Sequence, residues 1–489
     1  MKRFALPALI FVVVAVVYSI TSWNRVLEPS PHFHFIDLAQ SFMDGRLDTD
    51  TPRRRRNQEP KPDDPKGFQE AVNRALTDEK GNAQGWNDWA SYRQITLIGG
   101  ETVSGVWPWK DESGSKRKHE FVTLSGDTMV IDPDTDVAKG CGEQSWKKCD
   151  ETRYYISFPP FPAIVMMPFV ALWGYFTNDV VITILIAAIN AVIMLLMLQQ
   201  LVRRGYSTRT TREHVWFVAL FAFGTVTYFS SIRGEVWFTA LVIGLSLNTA
   251  YLMAALDARH PFLAGLFLAL GFATRTPILF AGMFFATQLF IPASGEHYPW
   301  MTRLKKVVLF ALPCVAVGVA LMIYNEARFE RFGEFGHSYL AEGSRDSIRR
   351  HGLFSFWFLN RNLSAMLTNM PVFTASAPFV HITRHGLGLL VTTPVFFLLF
   401  RPIPGNRRLI VALLATILAT VIPALLYQNT GWAQFGYRFS LDWTPFMFAL
   451  LAVDARPITK KYIVLILFSI LVNLFGAITF GRASAYYYD

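Results

Sequence analysis

Cysteine is scarce. Only Cys141, Cys149 and Cys314 occur in 489 residues, which excludes a small fold stapled by disulfides. Cys314 lies in an apolar run and is expected to be buried. Cys141 and Cys149 are close enough in sequence to bridge if their compartment is oxidising. Charge is scarce too: Asp, Glu, Lys and Arg make up 17% of the chain, against 52% hydrophobic and 15% aromatic residues. That balance fits a multi-spanning membrane protein and not a soluble domain. The net charge is +10, but Lys and Arg come in short clusters between apolar runs, as topology signals do, so no nucleic-acid partner is expected. There is no repeat at solenoid period and no obvious inverted pair of broken helices, which weighs against many transporter folds.

Met1 to Arg3 is basic and Phe4 to Ile20 apolar, but the following TSWNRV lacks a small-residue cleavage pattern. We read residues 1–22 as an uncleaved first span that starts in the cytoplasm. From about Ser22 to Ser157 no segment is long enough to cross a bilayer, so residues 23–157 form one large external loop. Its first part, PHFHFIDLAQSFMDGRL (Pro31 to Leu47), has helical periodicity. Phe35, Leu38, Ala39, Phe42 and Met43 fall on one side, and His34, Asp37, Ser41 and Asp44 on the other. This predicts an amphipathic helix lying on the membrane with a polar, solvent-facing side. Thr51 to Gly67, which contains the run Arg53 to Arg56, reads as a charged, proline-rich connector, and Phe68 to Leu76 as a short helix. RQITLI, ETVSGVW, HEFVTL and TMVID alternate in polarity between Gly and Ser turns, which predicts a small β-rich insert. Asp132, Asp134, Asp136 and Glu143 have the spacing of a calcium loop, but Val137 replaces its turn-forming glycine, so a plain acidic turn is the better reading.

Residues 158–177 carry Pro159, Pro160, Pro162 and Pro168 in an apolar segment. If this segment crossed, the basic loops Arg203 to Glu213, Arg303 to Lys306 and Arg401 to Arg408 would all lie outside. If it dips in or lies along the surface, all three face the cytoplasm, as the positive-inside rule prefers. We therefore take it as a re-entrant or juxtamembrane element. Further spans are then expected at 180–201, 214–231, 236–256, 261–275, 277–292 and 307–325, within a module covering 178–325. A second external loop covers 326–384. C-terminal spans at 385–400, 408–427, 442–454 and 461–480 complete about eleven.

On this map the external turns carry Arg233 and Glu235, Arg275, His337 in YNEARFERFGEFGHSY, and Trp432, Tyr437 and Arg438 in NTGWAQFGYRFSLDW. Arginines at the membrane edge, away from the side where positive charge is expected, suggest a site for an anionic lipid-borne substrate; snorkelling is the plainer reading of each alone. Sugar transfer from a polyprenyl phosphate needs fixed cations for the departing phosphate and a carboxylate to deprotonate the acceptor hydroxyl. Trp107, Trp109, Trp432 and Tyr437 offer sugar-stacking faces or an interfacial belt. Acidic groups near a phosphate could hold Mg²⁺ or Mn²⁺, though no ligand spacing demands either.

With FHFIDLAQSFMDGRL in the first loop, a later SFPPFPA, then TRTP and a late GYRFSLDWTPF, the chain resembles the GT-C superfamily of integral-membrane glycosyltransferases. The likeness is to bacterial relatives of protein O-mannosyltransferases and of the lipid A aminoarabinose transferase. The resemblance implies an all-α polytopic fold with a large external first loop. It also implies inverting transfer from a polyprenyl-phosphate sugar to a lipid, glycan or protein acceptor at the outer face of the cytoplasmic membrane. In that family an acidic residue early in the first loop is the general base. Here that place falls near Pro31 or His32, leaving Glu28, His32, His34 and Asp37 as candidates. Asp37 comes first because it shares a helix face with His34, and Glu28 second. Arg275 and Arg438 are the expected phosphate ligands, with Arg233, Glu235, His32 and His337 beside them. The competing readings are an O-antigen polymerase or ligase, whose large external loop usually comes late in the chain, a transporter, and an assembly protein that binds through the β insert.

Overall fold

The computed structural model describes residues 2–49, 88–107, 119–141, 149–340 and 350–488. The connector, the helix expected at 68–76, Trp109 and Glu143 lie outside them. The helices in chain order are α1 (Lys2–Ser22), α2 (His34–Met43), α3 (Phe161–Trp173), α4 (Asp179–Arg203), α5 (Thr211–Phe223), α6 (Thr227–Ser231), α7 (Val236–Ala255), α8 (Pro261–Phe272), α9 (Gly282–Phe290) and α10 (Trp300–Phe329). They continue with α11 (Leu359–Leu363), α12 (Leu389–Thr392), α13 (Arg407–Leu426), α14 (Thr444–Val453) and α15 (Lys460–Thr479). The chain divides into a helical unit (residues 1–30, 178–317 and 351–489) and a second unit (31–177 and 318–350).

Among the described residues six helices are long and apolar enough to cross a membrane: Phe4–Val26, Asp179–Arg203, Val236–Ala258, Trp300–Phe329, Arg407–Leu426 and Lys460–Thr479. The chain is thus a multi-pass membrane protein. The other five expected spans are interrupted. The 214–231 segment breaks after Phe223, 385–400 is a short α12 followed by a 3₁₀ turn over Pro394–Phe400, and 261–292 is α8, a 3₁₀ turn over Thr276–Ala281 and α9. The 442–454 segment holds the 10-residue α14. A 12-residue helix such as α8 reaches only about 18 Å, short of a hydrocarbon slab of about 30 Å. Backbone freed at such breaks must find partners inside the protein. Thr393 Oγ1 donates to Gly224 O (3.0 Å), where α5 ends, and Asn473 Nδ2 donates to Thr392 O (2.8 Å), at the end of α12.

Polar side chains also join the helices of this unit. Tyr18 Oη donates to Ala222 O, Asn190 Nδ2 to Val242 O, and Thr183 bonds Thr239, the kind of contact that holds helices together where lipid removes the hydrophobic drive. At one end lie the basic loops. Ser207 Oγ donates to Ala452 O, Arg209 Nη2 to Asp454 O and Asn406 Nδ2 to Ala293 O. There the buried Asp257, at φ 56°, accepts both Oη bonds of Tyr206 and one from Ser294 N. Tyr298 Oη donates to Asp257 O (2.7 Å).

At the other end the chain leaves this unit at Ser30 and returns at Asn178. Ser30 N and Oγ donate to the Asp179 carboxylate (2.8 and 2.6 Å), and Asn178 Nδ2 donates to Val26 O (2.9 Å). Ser30 and Asn178 are therefore held close together within this unit. The proline-rich segment forms α3, of 13 residues, and the apolar helical stretch continues to Phe176. Gly234 sits at this junction with φ +71°, and a Cβ there would lie 2.6 Å from Val180 N.

The second unit contains the expected β insert. Strands β1 (Trp89–Thr96), β2 (Thr102–Val106), β3 (Glu120–Thr123) and β4 (Thr128–Val130) match the four alternating segments. A fifth, β5 (Asp150–Ile156), was not foreseen. The sheet order is β4-β3-β2-β1-β5, and every neighbouring pair is antiparallel. Ile95, Phe121, Ile131 and Val137 fill one core of this unit, and Ala90, Tyr92, Tyr155, Phe329 and Tyr339 another. Cys141 and Cys149 are joined by a disulfide. Asp132 and Asp136 use their carboxylates to close their own turn: Asp132 N donates to Asp136 Oδ2 and Asp134 N to Asp132 Oδ1, as in an ordinary Asx turn. Two short strands in the helical unit, β6 (Val372–Phe373) and β7 (Val380–Thr383), pair with each other, and β7 also pairs with β8 (Tyr487–Tyr488).

Candidate functional site

In the second unit α2 forms where the periodicity placed it, but of its polar side only Asp44, at the C-terminal end, is exposed. His34, Asp37 and Ser41 are buried, as are Phe35, Leu38 and Ala39, while Met43 is exposed. The expected picture of a surface helix with a wet face is corrected: this helix packs against α3 and the turn after it. The reason is tertiary. Tyr175, in the 3₁₀ turn Gly174–Phe176, donates from Oη to Asp37 Oδ1 (3.1 Å), so the carboxylate has a hydrogen-bond donor inside the unit. Asp37 also lies in the first turn of α2, where the helix dipole favours a negative charge.

His34 lies beside Asp88, with Nε2 to Oδ2 at 3.3 Å. Its ring packs on Trp89 (4.3 Å between centroids), meets Phe158 edge-on, and stacks with His32 at 6.2 Å. Thus Asp37, His34 and His32 share one aromatic-lined region with Asp88 and Tyr175, two residues that pattern reading did not identify. His337 belongs to the same unit, in a turn where Glu334 Oε1 accepts from Gly336 N (2.6 Å). Burial pushes its imidazole below the usual value. Trp107 packs edge-on against Phe121, within the β insert. Glu28 is exposed in the helical unit, between α1 and Ser30.

In the helical unit the three expected arginines form a series linked by aromatic rings. Arg275 lies 5.5 Å from the centroid of Phe439, and Arg438 lies 5.8 Å from the same ring. Arg438 is 4.9 Å from Phe238, and Arg233 is 5.2 Å from that ring in turn. A ring face attracts a cation electrostatically, so Phe439 and Phe238 hold neighbouring guanidiniums that would otherwise repel. Two carboxylates offset part of the charge. Arg275 makes a bidentate pair with Asp442, from Nε to Oδ1 at 2.7 Å and from Nη2 to Oδ2 at 2.8 Å. Arg233 Nη2 donates to Glu235 Oε1 at 2.6 Å.

Arg438 is held in place through its backbone. Its N–H donates to Gln434 Oε1 (2.9 Å), and Gln434 Nε2 donates to His385 O and Thr430 O. Trp432 is exposed, with its N–H bonded to Asn429 Oδ1. Tyr437 is fully buried between Phe439 and Trp443, so it packs the core and offers no open face. Asp442 was missed by pattern reading. Its signal was present as a carboxylate four residues after Arg438 at the edge of an apolar run. Among the described residues no three of His, Cys, Asp or Glu converge as a metal site.

No protein-family profile matches the chain, and no curated protein does. Among solved structures it is similar to the apo oligosaccharyltransferase of Archaeoglobus fulgidus, with a TM-score of 0.43 and 13% identity over 99% of this chain. The matched region is 56% of that protein, so the chain spans about half its length.

Proposed function

We propose that this chain is a GT-C-type membrane glycosyltransferase. It moves a sugar from a polyprenyl-phosphate donor to a lipid, glycan or protein acceptor at the outer face of the cytoplasmic membrane, with inversion. The observation that carries the reading is the ring-linked series Arg275, Arg438 and Arg233. Its three neighbouring guanidiniums and their low exposure suit a phosphate whose charge grows as the sugar departs. Asp442 orients Arg275 through Nε and Nη2, leaving Nη1 outside that pair. The basic loops at the opposite end support an outward-facing site, and the Cys141–Cys149 bridge supports an oxidising compartment around the second unit.

In the reaction we propose, the acceptor hydroxyl attacks the anomeric carbon, the bond from that carbon to the phosphate oxygen breaks, and the polyprenyl phosphate leaves on the arginines. Asp37 takes the hydroxyl proton, with Tyr175 donating to its Oδ1 and so holding the carboxylate in place. The pair His34–Asp88 holds the neighbouring imidazole and positions the sugar or acceptor. A general base contributes about 10²–10⁴-fold in rate. The test is turnover of purified full-length protein with a panel of polyprenyl-phosphate sugars, comparing wild type with Asp37→Asn. The expected result is transfer by wild type and a loss in the variant of at least about 10²-fold. Equal turnover would remove Asp37 as the base, and no transfer from any donor would remove the function.

A further inference from the structure

Where α1 and α15 end and α7 begins, the helical unit gathers two further arginines, Arg25 and Arg482, around Arg233. Arg25 Nη2 donates to Phe480 O (3.3 Å) and Gly481 O (3.2 Å), just beyond α15. Arg482 answers in the reverse direction, with Nη2 donating to Thr21 O (2.8 Å) and Ser22 O (2.5 Å) at the end of α1. Arg233 Nη1 also donates to Phe480 O (2.9 Å), so two guanidiniums converge on one carbonyl. Gly481, at φ +68°, lies against this group: a Cβ there would come within 2.3 Å of Arg233 Nη1.

Capping of helix ends accounts for part of this arrangement, because arginines commonly bond the last carbonyls of a helix. It does not account for the charge. The groups acting electrostatically on Arg25 are Arg233, Arg482 and Glu235, which makes three cations and one carboxylate. Glu235 is already engaged by Arg233. Nor does capping account for two donors: Arg25 Nη1 and Arg233 Nε are buried with no hydrogen-bond partner among the described residues. Burial and the charge of Arg233 also hold the Arg482 guanidinium below its usual value. A phosphate supplies what is missing, with several acceptor oxygens and negative charge matched to the guanidinium fork.

The depth of the cluster identifies where that phosphate sits. Arg25 lies at the end of the span Phe4–Val26, Glu235 immediately before the span Val236–Ala258, and Arg482 shortly after the span Lys460–Thr479. Three spans terminate there, at the level of lipid headgroups. Trp23, exposed beside Arg25, is the residue type that prefers this level. Below it α1 exposes Val16 and Ile20, α15 exposes Leu471 and Ile478, and the two helices pack against each other. That gives a phosphate-binding head and an apolar track for acyl chains.

We propose that Arg25, Arg233 and Arg482 bind the phosphate of an anionic membrane lipid between the first and last spans. This site shares Arg233 with the donor site proposed above, but its test varies only Arg25 and Arg482, which that site does not use, and needs no glycosyl transfer. Full-length protein is reconstituted in nanodiscs of mixed phosphatidylglycerol and phosphatidylcholine, and the lipid retained after delipidation in mild detergent is counted by native mass spectrometry. Wild type is expected to retain phosphatidylglycerol preferentially. Arg25→Gln with Arg482→Gln is expected to lose that preference, at about tenfold in affinity per guanidinium. Arg407→Gln, which removes an exposed charge at the opposite end, is expected to retain it. Arg482→Gln alone leaves Arg25 and its bonds to Phe480 O and Gly481 O in place and keeps the test valid if the double variant fails to fold; it should lose about tenfold. Inorganic phosphate distinguishes the sources. If it does not displace the lipid, the site takes lipid phosphate; if it displaces the lipid and binds alone, the site takes phosphate from water and the lipid assignment is overturned. Unchanged lipid retention in the Arg25 and Arg482 variants, or equal loss in Arg407→Gln, would overturn the proposal.

Discussion

Replacing Asp442 by asparagine removes the counter-charge from Arg275 with almost no change in side-chain size. The carboxylate is 2% exposed and the guanidinium 15% exposed, so little water can take over the lost interaction. Breaking such a pair by removing one partner typically costs about 3–5 kcal/mol, because the other charge is left buried and uncompensated. The replacement amide would still accept one of the two bonds, and the partial exposure of Arg275 allows some screening. The low end, about 3 kcal/mol, is therefore expected. Arg275→Met combined with Asp442→Leu removes both charges and should lie within about 1 kcal/mol of wild type, since well-packed apolar replacements of buried pairs are often neutral. Both variants are measured by thermal and denaturant unfolding in the same detergent. The reasoning is refuted if the single variant unfolds like wild type, or if the double variant is as unstable as the single. A stable double variant that still fails to bind a polyprenyl phosphate would separate the structural role of the pair from the binding role of Arg275.

Other outcomes follow from particular contacts. Burial, with the charges of Glu296 and Asp257, pushes the Tyr298 phenol from its ordinary 10.0 up to about 12. Its stabilising contribution is then complete below pH 10 and is lost as pH rises through about 12. The tyrosinate absorbance of wild type minus Tyr298→Phe should titrate near the higher value, and titration near 10 would count against the buried bond to Asp257. Opening the Cys141–Cys149 bridge with Cys141→Ser should cost the β insert about 2–3 kcal/mol, read as faster amide exchange in β1 and β5. A change in neither strand would show that the bridge constrains nothing beyond its own loop. Gly234→Ala puts a methyl group against Val180 N at a positive φ and should destabilise the protein by more than about 1 kcal/mol; an unchanged melting midpoint would contradict the close approach.

How far the sequence foretold this architecture varies with the range of the interactions involved. The four alternating segments of the β insert became β1 to β4, because period-two alternation between turn residues is a local signal. β5 escaped notice because Tyr154 to Ile156 reads as the start of the apolar, proline-rich segment, and its strand character comes from pairing with β1, Trp89 opposite Ile156. The long spans were legible from hydrophobic length. The interruptions at Gly224 and at Thr393 were less so, since an apolar run does not reveal that a threonine hydroxyl far along the chain will cap the broken end. On α2, periodicity gave the helix but the wrong surroundings, since His34, Asp37 and Ser41 are buried like Phe35, Leu38 and Ala39. Whether a polar face meets water depends on residues such as Tyr175, 138 positions away from Asp37. The arginine turns stood out because their charge opposed the topology rule. Their aromatic links through Phe238 and Phe439, and the pairing of Arg275 with Asp442 across 167 residues, depend on packing that no local pattern encodes.

Arg438 stands at the centre of the proposed donor site, because it shares Phe439 with Arg275 and Phe238 with Arg233. The decisive measurement is the affinity of the full-length protein for a polyprenyl phosphate without sugar, wild type against Arg438→Gln, in nanodiscs of fixed lipid composition. Loss of one charge-assisted contact predicts weakening by about 10- to 100-fold, with Asp37→Asn binding as wild type does. Equal affinity in wild type and Arg438→Gln would contradict the claim that these guanidiniums hold the donor phosphate.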